Sequence, residues 1–169
     1  MAYQGDTRDV RFQLFEWLPV EELLKRPQFS QWERPDVEMV LDEAHKLAKE
    51  VLSPANRDGD QIGVRFEGGK GITPPSTHSA FQKVRDGGWI GCINNPEYGG
   101  MGLPDVVGTG INEYFSGANV ALFLTGLLTR GTSYLIEKFG TDEMRQLFCA
   151  KMYAGEWAGT MCLTEPQAG

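Results

Sequence analysis

Eight apolar residues, Val37, Val40, Leu41, Ala44, Leu47, Ala48, Val51 and Leu52, recur at helical spacing and form one unbroken stripe. A helix of this length is marginal in water by itself. Its stripe must therefore lie against other elements, and the surrounding chain offers mostly further helices. The spacing predicts a helix over residues 36–52, with Asp36 as N-cap and Pro54 just past the end. His45 falls at the margin of the stripe, where a histidine is a boundary residue rather than a ligand.

The rest of the chain supplies partners for that stripe. Residues 9–26 mix Val10, Phe12, Leu14, Phe15, Leu18, Leu23 and Leu24 with charges, and Pro19 can start a helix but not continue one. They read as an extended arm followed by about two helical turns. So much aromatic surface needs a place to dock, on its own domain or on a partner subunit. Residues 56–75 hold five glycines without periodicity and read as a loop or small hairpin insertion. A second helix is expected over 76–85, capped by Ser76 or Thr77 and closed by Gly87 and Gly88. In Gly99-Gly100-Met101-Gly102 the glycines imply positive φ or a close backbone approach. No Lys-Ser/Thr follows, so this is not a phosphate loop.

Asp105 is read as the cap of a third helix, Asn119 of a fourth ending at Gly140, and Thr141 of a fifth. The first half of the fourth helix, residues 120–128, is apolar nearly all round and is expected to be buried on most sides. Its small residues leave room beside it, for neighbouring side chains or for an apolar ligand. On the fifth helix Met144, Leu147, Phe148 and Met152 make the expected inner face, with Cys149 a core or boundary residue.

Composition removes several function classes. A net charge of −7, with the acidic residues spread along the chain, is the opposite of a nucleic-acid footprint. Cys92, Cys149 and Cys162 are too few and too scattered for a disulfide framework. With only His45 and His78 beside them, no metal site is expected. No signal peptide or membrane span is read, and a reduced, cytoplasmic setting is the simplest.

Residues 157–169 alternate: Trp157, Met161 and Leu163 point one way, and Ala158, Thr160, Cys162 and Thr164 the other. That is the pattern of a half-buried strand, stopped near Glu165 by Pro166. A threonine hydroxyl and freed main-chain groups at a strand end suit a flat heterocycle carrying imide-type N–H and carbonyl groups. A strand needs a neighbour, so the chain reads as a fragment of a larger protein. No catalytic constellation is present: Cys162 has no histidine near it, and Glu165 sits in a solvated turn.

Four blocks in order, Asn95-Pro96-Glu97-Tyr98-Gly99-Gly100-Met101-Gly102, Phe139-Gly140-Thr141-Asp142-Glu143-Met144-Arg145-Gln146, Gly155-Glu156-Trp157 and residues 161–169, closely resemble the N-terminal part of the acyl-CoA dehydrogenase family of flavoproteins. The arm and the glycine-rich insertion further resemble long bacterial members of the 3-methylmercaptopropionyl-CoA dehydrogenase type. The resemblance implies a mainly α fold: an arm with a short helix (1–35), the family's N-terminal helical domain (36–156) and the first strand of a middle β domain (157–169). It implies FAD as cofactor, with Met161, Leu163 and Thr164 against the flavin ring; Met161 stands where an aromatic residue is frequent. It implies an acyl-CoA substrate, with Phe123, Leu124 and Leu127 walling the acyl pocket, and bulky residues there suggest a short or medium acyl group. Electron-transfer flavoprotein as partner and a homo-oligomeric state are implied as well. In the family the catalytic carboxylate and the residues on the FAD pyrophosphate come later in sequence. This chain alone is therefore expected neither to catalyse the α,β-dehydrogenation nor to hold FAD tightly. A flavin-dependent oxidase or oxygenase on the same fold, and a non-catalytic helical docking subunit, stay open as alternatives.

Overall fold

The computed structural model describes residues 3–167 and is mainly helical, with a single two-stranded hairpin among the described residues. Its spine is the predicted stripe. Helix α3 (Arg34–Leu47) starts two residues earlier than the spacing implied. Asp36 is not its N-cap; its carboxylate accepts the Glu33 N–H at 2.9 Å from three residues inside, as in a capping box. Nor does the helix stop at Pro54. A π-helical turn (Ala48–Leu52) leads straight into α4 (Ser53–Ile62), and the Ser53 N–H reaches back five residues to the Ala48 carbonyl. Pro54 then lies in the first turn of α4, where a missing N–H is tolerated. The first seven residues of the glycine-rich insertion, 56–62, are thus helical, and Gly63 (φ +71°) ends α4.

The remainder of the insertion is the hairpin, β1 (Arg65–Glu67) and β2 (Lys70–Ile72), antiparallel with Phe66 opposite Gly71. Gly68 (φ +58°) and Gly69 (φ +79°) form the two-residue turn. Helix α5 (Pro75–Asp86) follows, opened by Pro75 rather than by a Ser76 or Thr77 cap, with Gly88 (φ +69°) just beyond its end.

The N-terminal arm is helical, not extended. Helix α1 (Thr7–Phe12) is capped by Asp6, whose carboxylate accepts the Arg8 N–H at 2.8 Å, and runs into a π-helical turn (Gln13–Trp17) before α2 (Val20–Leu24). Val10, Leu14, Val20 and Leu24 are buried, so the arm docks on its own domain. Gly110 makes this possible: a Cβ there would stand 2.8 Å from a Val10 methyl.

The third and fourth predicted helices form one run, α6 (Asp105–Phe139), broken in direction at Asn119 (φ −160°, ψ 84°). The Asn119 side chain caps the second half, accepting the Leu122 N–H at 3.0 Å, and donates to the Leu52 carbonyl at 3.2 Å. The first half of α6 lies along α3 and the turn after it, where Val107, Ile111, Tyr114 and Phe115 join Val37, Leu41, Ala44 and Ala48 in the core.

Helix α7 (Asp142–Met144), capped by the Thr141 hydroxyl, passes through a π-helical turn (Arg145–Cys149) into α8 (Ala150–Tyr153). The wider turn shifts the helical phase by a residue. The inner face is therefore Cys149, Met152 and Tyr153, while Met144 and Leu147, expected inside, are exposed.

Candidate functional site

The second half of α6 carries the residues that matter. Leu122 is buried, and Phe123 and Leu127 are half-buried, lining a narrow cleft with Leu52, Phe81, Trp89, Phe115 and Arg130. Leu124, expected on the same wall, is 46% exposed on another side of the helix. Val120, Ala121 and Thr125 are exposed too, which corrects the expectation of burial on most sides. One side of the segment packs on the core; Ala121 and Thr125 face α4 and the hairpin across an open cavity of about 570 Å³, and Val120 and Leu124 lie in solvent.

At the floor of the cleft lies a group that the sequence reading passed over. Arg130 is 8% exposed, donates to the Asn112 carbonyl oxygen at 3.1 Å and points a second N–H at the Cys92 sulfur at 3.8 Å. It makes no ion pair within 4.0 Å among the described residues. A buried cation held only by neutral groups is costly, so the position favours a passing or bound negative charge. The signal was available: Arg130 is the only charged residue between Glu113 and Glu137.

The terminal segment is fastened to the same helix. The Gly159 N–H donates to the Thr129 hydroxyl at 3.2 Å, and a side chain at Gly159 would collide with Thr132. Trp157 lies against Phe148 (centroids 5.6 Å apart), with the Lys151 ammonium 4.3 Å from its ring centre. Together they border a groove of about 590 Å³ lined by Thr132, Ile136, Phe148, Met152, Trp157 and Thr160. Beyond it the chain forms no regular strand: residues 157–167 carry only an isolated bridge at Glu165. A strand exists by pairing, and this segment pairs with neither strand of the hairpin. Met161 is 62% and Leu163 71% exposed, with Thr164 and Glu165 also in solvent. The structure therefore does not bring Met161, Leu163 and Thr164 into the cleft with Phe123 and Leu127.

Buried acids in this region are kept protonated. Burial pushes the Cys92 thiol up, a shift the nearby Arg130 only partly opposes, and burial raises Cys149 as well. Tyr153 is raised by burial and by its hydrogen bond to the Glu137 carboxylate. Neither buried thiol is thereby a nucleophile. Cys162 is free and exposed. Among the described residues no group of three or more Cys, His, Asp or Glu could hold a metal, and no helix is long and apolar enough to cross a membrane.

The profile of the family described as "Acyl-CoA dehydrogenase, N-terminal domain" matches residues 34–156, from the start of α3 to the end of the α8 turn. The chain belongs to the acyl-CoA dehydrogenase family. It is 36% identical, over its whole length and 29% of the relative's, to 3-methylmercaptopropionyl-CoA dehydrogenase of Ruegeria pomeroyi. A butyryl-CoA dehydrogenase of Syntrophomonas wolfei is 34% identical over 99% of the chain and 28% of the relative. The broad-specificity linear acyl-CoA dehydrogenase FadE5 of Mycobacterium tuberculosis is 29% identical over 99% of the chain and 27% of the relative. The chain thus spans under a third of the length of these acyl-CoA dehydrogenases.

Proposed function

We propose that these residues are the N-terminal part of an FAD-dependent acyl-CoA dehydrogenase that oxidises an acyl-CoA thioester to its α,β-unsaturated form. The observation that carries this reading is the match of the family's N-terminal domain to residues 34–156, continued end to end by relatives bearing that activity in their names. In this reading residues 1–35 are a docked arm, 36–156 the helical domain and 157–169 the start of a β domain.

The residues present suit one side of a flavin site. Met161, Leu163 and Thr164 are exposed. Between residues 160 and 164, no main-chain hydrogen bond is made among the described residues. Free N–H and carbonyl groups beside a hydroxyl are the donor and acceptor set that a flavin edge requires. FAD held there would supply the acceptor for a hydride from the substrate β carbon. The chain's own part is to orient and exclude water: Leu163 and Thr164 toward the ring, Phe123 and Leu127 along the acyl group, Trp157 closing the groove from below. Leu124 takes part only if a neighbouring element covers its exposed side. The carboxylate that removes the α proton and the contacts to the FAD pyrophosphate lie outside these residues, so the isolated chain carries no stoichiometric flavin absorbance. The substrate is a short or medium acyl-CoA, the electron acceptor an electron-transfer flavoprotein, the assembly a homo-oligomer and the setting cytoplasmic.

Steady-state oxidation of acyl-CoAs of graded length by the whole protein, with electron-transfer flavoprotein as acceptor, tests this. Turnover peaking at short or medium chains is expected. A preference for long chains contradicts the pocket reading, and no turnover of any acyl-CoA contradicts the activity.

A further inference from the structure

The hairpin between α4 and α5 joins no other strand among the described residues. Two strands alone are marginally stable in water, and this pair exposes both of its outer edges among the described residues. Its apolar face is uncovered as well: Phe66, 79% exposed, stands opposite Gly71, which offers no side chain, and Val64 on the same face is also exposed. In a hairpin closed by a two-residue turn, the flanking pair Glu67 and Lys70 exchange main-chain bonds. The alternation then turns the Phe66 N–H and C=O outward, onto the free edge of β1.

We infer that β1 pairs antiparallel with β1 of a second copy about a two-fold axis at Phe66, giving a four-stranded intermolecular sheet. The sequence Arg65-Phe66-Glu67 is self-complementary in that register and in no neighbouring one. Each Phe66 exchanges both main-chain bonds with its mate, each Arg65 faces the second copy's Glu67, and the two phenyl rings meet on the apolar face. An isologous contact of this kind needs the same patch on both partners, and opposite charges directly across strands favour pairing. Within one copy Arg65 and Glu67 approach only to 3.5 Å, both more than half exposed, so they are free to turn outward. The pairing does not depend on the enzymatic reading.

Single cysteines in a Cys162→Ser background test it, since Cys92 and Cys149 are buried. In the inferred register Phe66→Cys has its mate within disulfide reach, whereas Val64→Cys is about 13 Å from its own. Mild oxidation of the folded chain is expected to give a covalent dimer with Phe66→Cys and none with Val64→Cys. Adding Glu67→Arg to Phe66→Cys should cut the yield several-fold by placing Arg opposite Arg, and adding Arg65→Glu as well should restore it. Cross-linking of both cysteine variants or of neither, or a yield indifferent to charge reversal, overturns the inference.

Discussion

Asn119 does two things at one position. It caps the second half of α6 through its carbonyl oxygen and ties the break to α3–α4 by donating to the Leu52 carbonyl, both from a buried site. Asn119→Ala is expected to cost about 1–3 kcal/mol, the loss of the cap on the buried Leu122 N–H plus the bond to Leu52, seen as a lower urea midpoint. The cap was legible, because an asparagine precedes an apolar run; the bond to Leu52, 67 residues away, was not. The glycines at 99–102 make a sharper test. Gly99 (φ +87°) has open space around it, so Gly99→Ala should cost only the backbone strain, about 1–2 kcal/mol. A Cβ at Gly100 would strike the Asn94 carbonyl, so Gly100→Ala should cost clearly more in the same denaturation series. The sequence required close approach or positive φ of this turn, and the structure uses both.

At the scale of elements, the helices were readable from apolar spacing and caps, and the π-helical turns were not. Each adds a residue to one turn without any composition signal, so stripes read at constant period slip after it. The turn at Arg145–Cys149 leaves Leu147 outside and brings Cys149 and Tyr153 inward, and the one at Ala48–Leu52 lets the helix run past Pro54. The second half of α6 shows the opposite effect. Its all-round apolar character was plain, but which side is covered depends on how α6 turns at Asn119 and on where α4 and α5 lie, which no local pattern encodes. Gly131 on this helix meets nothing within 4 Å. Gly131→Ala should therefore stabilise the isolated chain by about 0.5–1 kcal/mol, read from thermal melts.

For the molecule as a whole, fold class was legible because helix-length stripes demand helix partners. The site was legible only in outline: Phe123 and Leu127 meet in a cleft, but Arg130 was missed, and Met161, Leu163 and Thr164 stand apart from it in solvent. The buried acids set the alkaline limit of stability. Burial pushes Tyr114 up to about 12, and Tyr153, Cys92 and Cys149 are also raised. A group whose folded value is raised contributes its full stabilisation below its unfolded value and loses it as pH rises toward the folded one. Urea-derived stability should be insensitive to these groups up to about pH 8 and fall steadily above it, as the unfolded chain gives up thiol and then phenol protons. A flat profile through pH 11 would contradict their burial. The central claim, that α6 and the segment after α8 form one side of a flavin and acyl-CoA site, is tested most directly by adding a short-chain acyl-CoA to the whole protein without oxygen and following its visible absorbance. The account predicts a bound flavin whose band bleaches as substrate is oxidised; absence of flavin, or a band that persists, would contradict it.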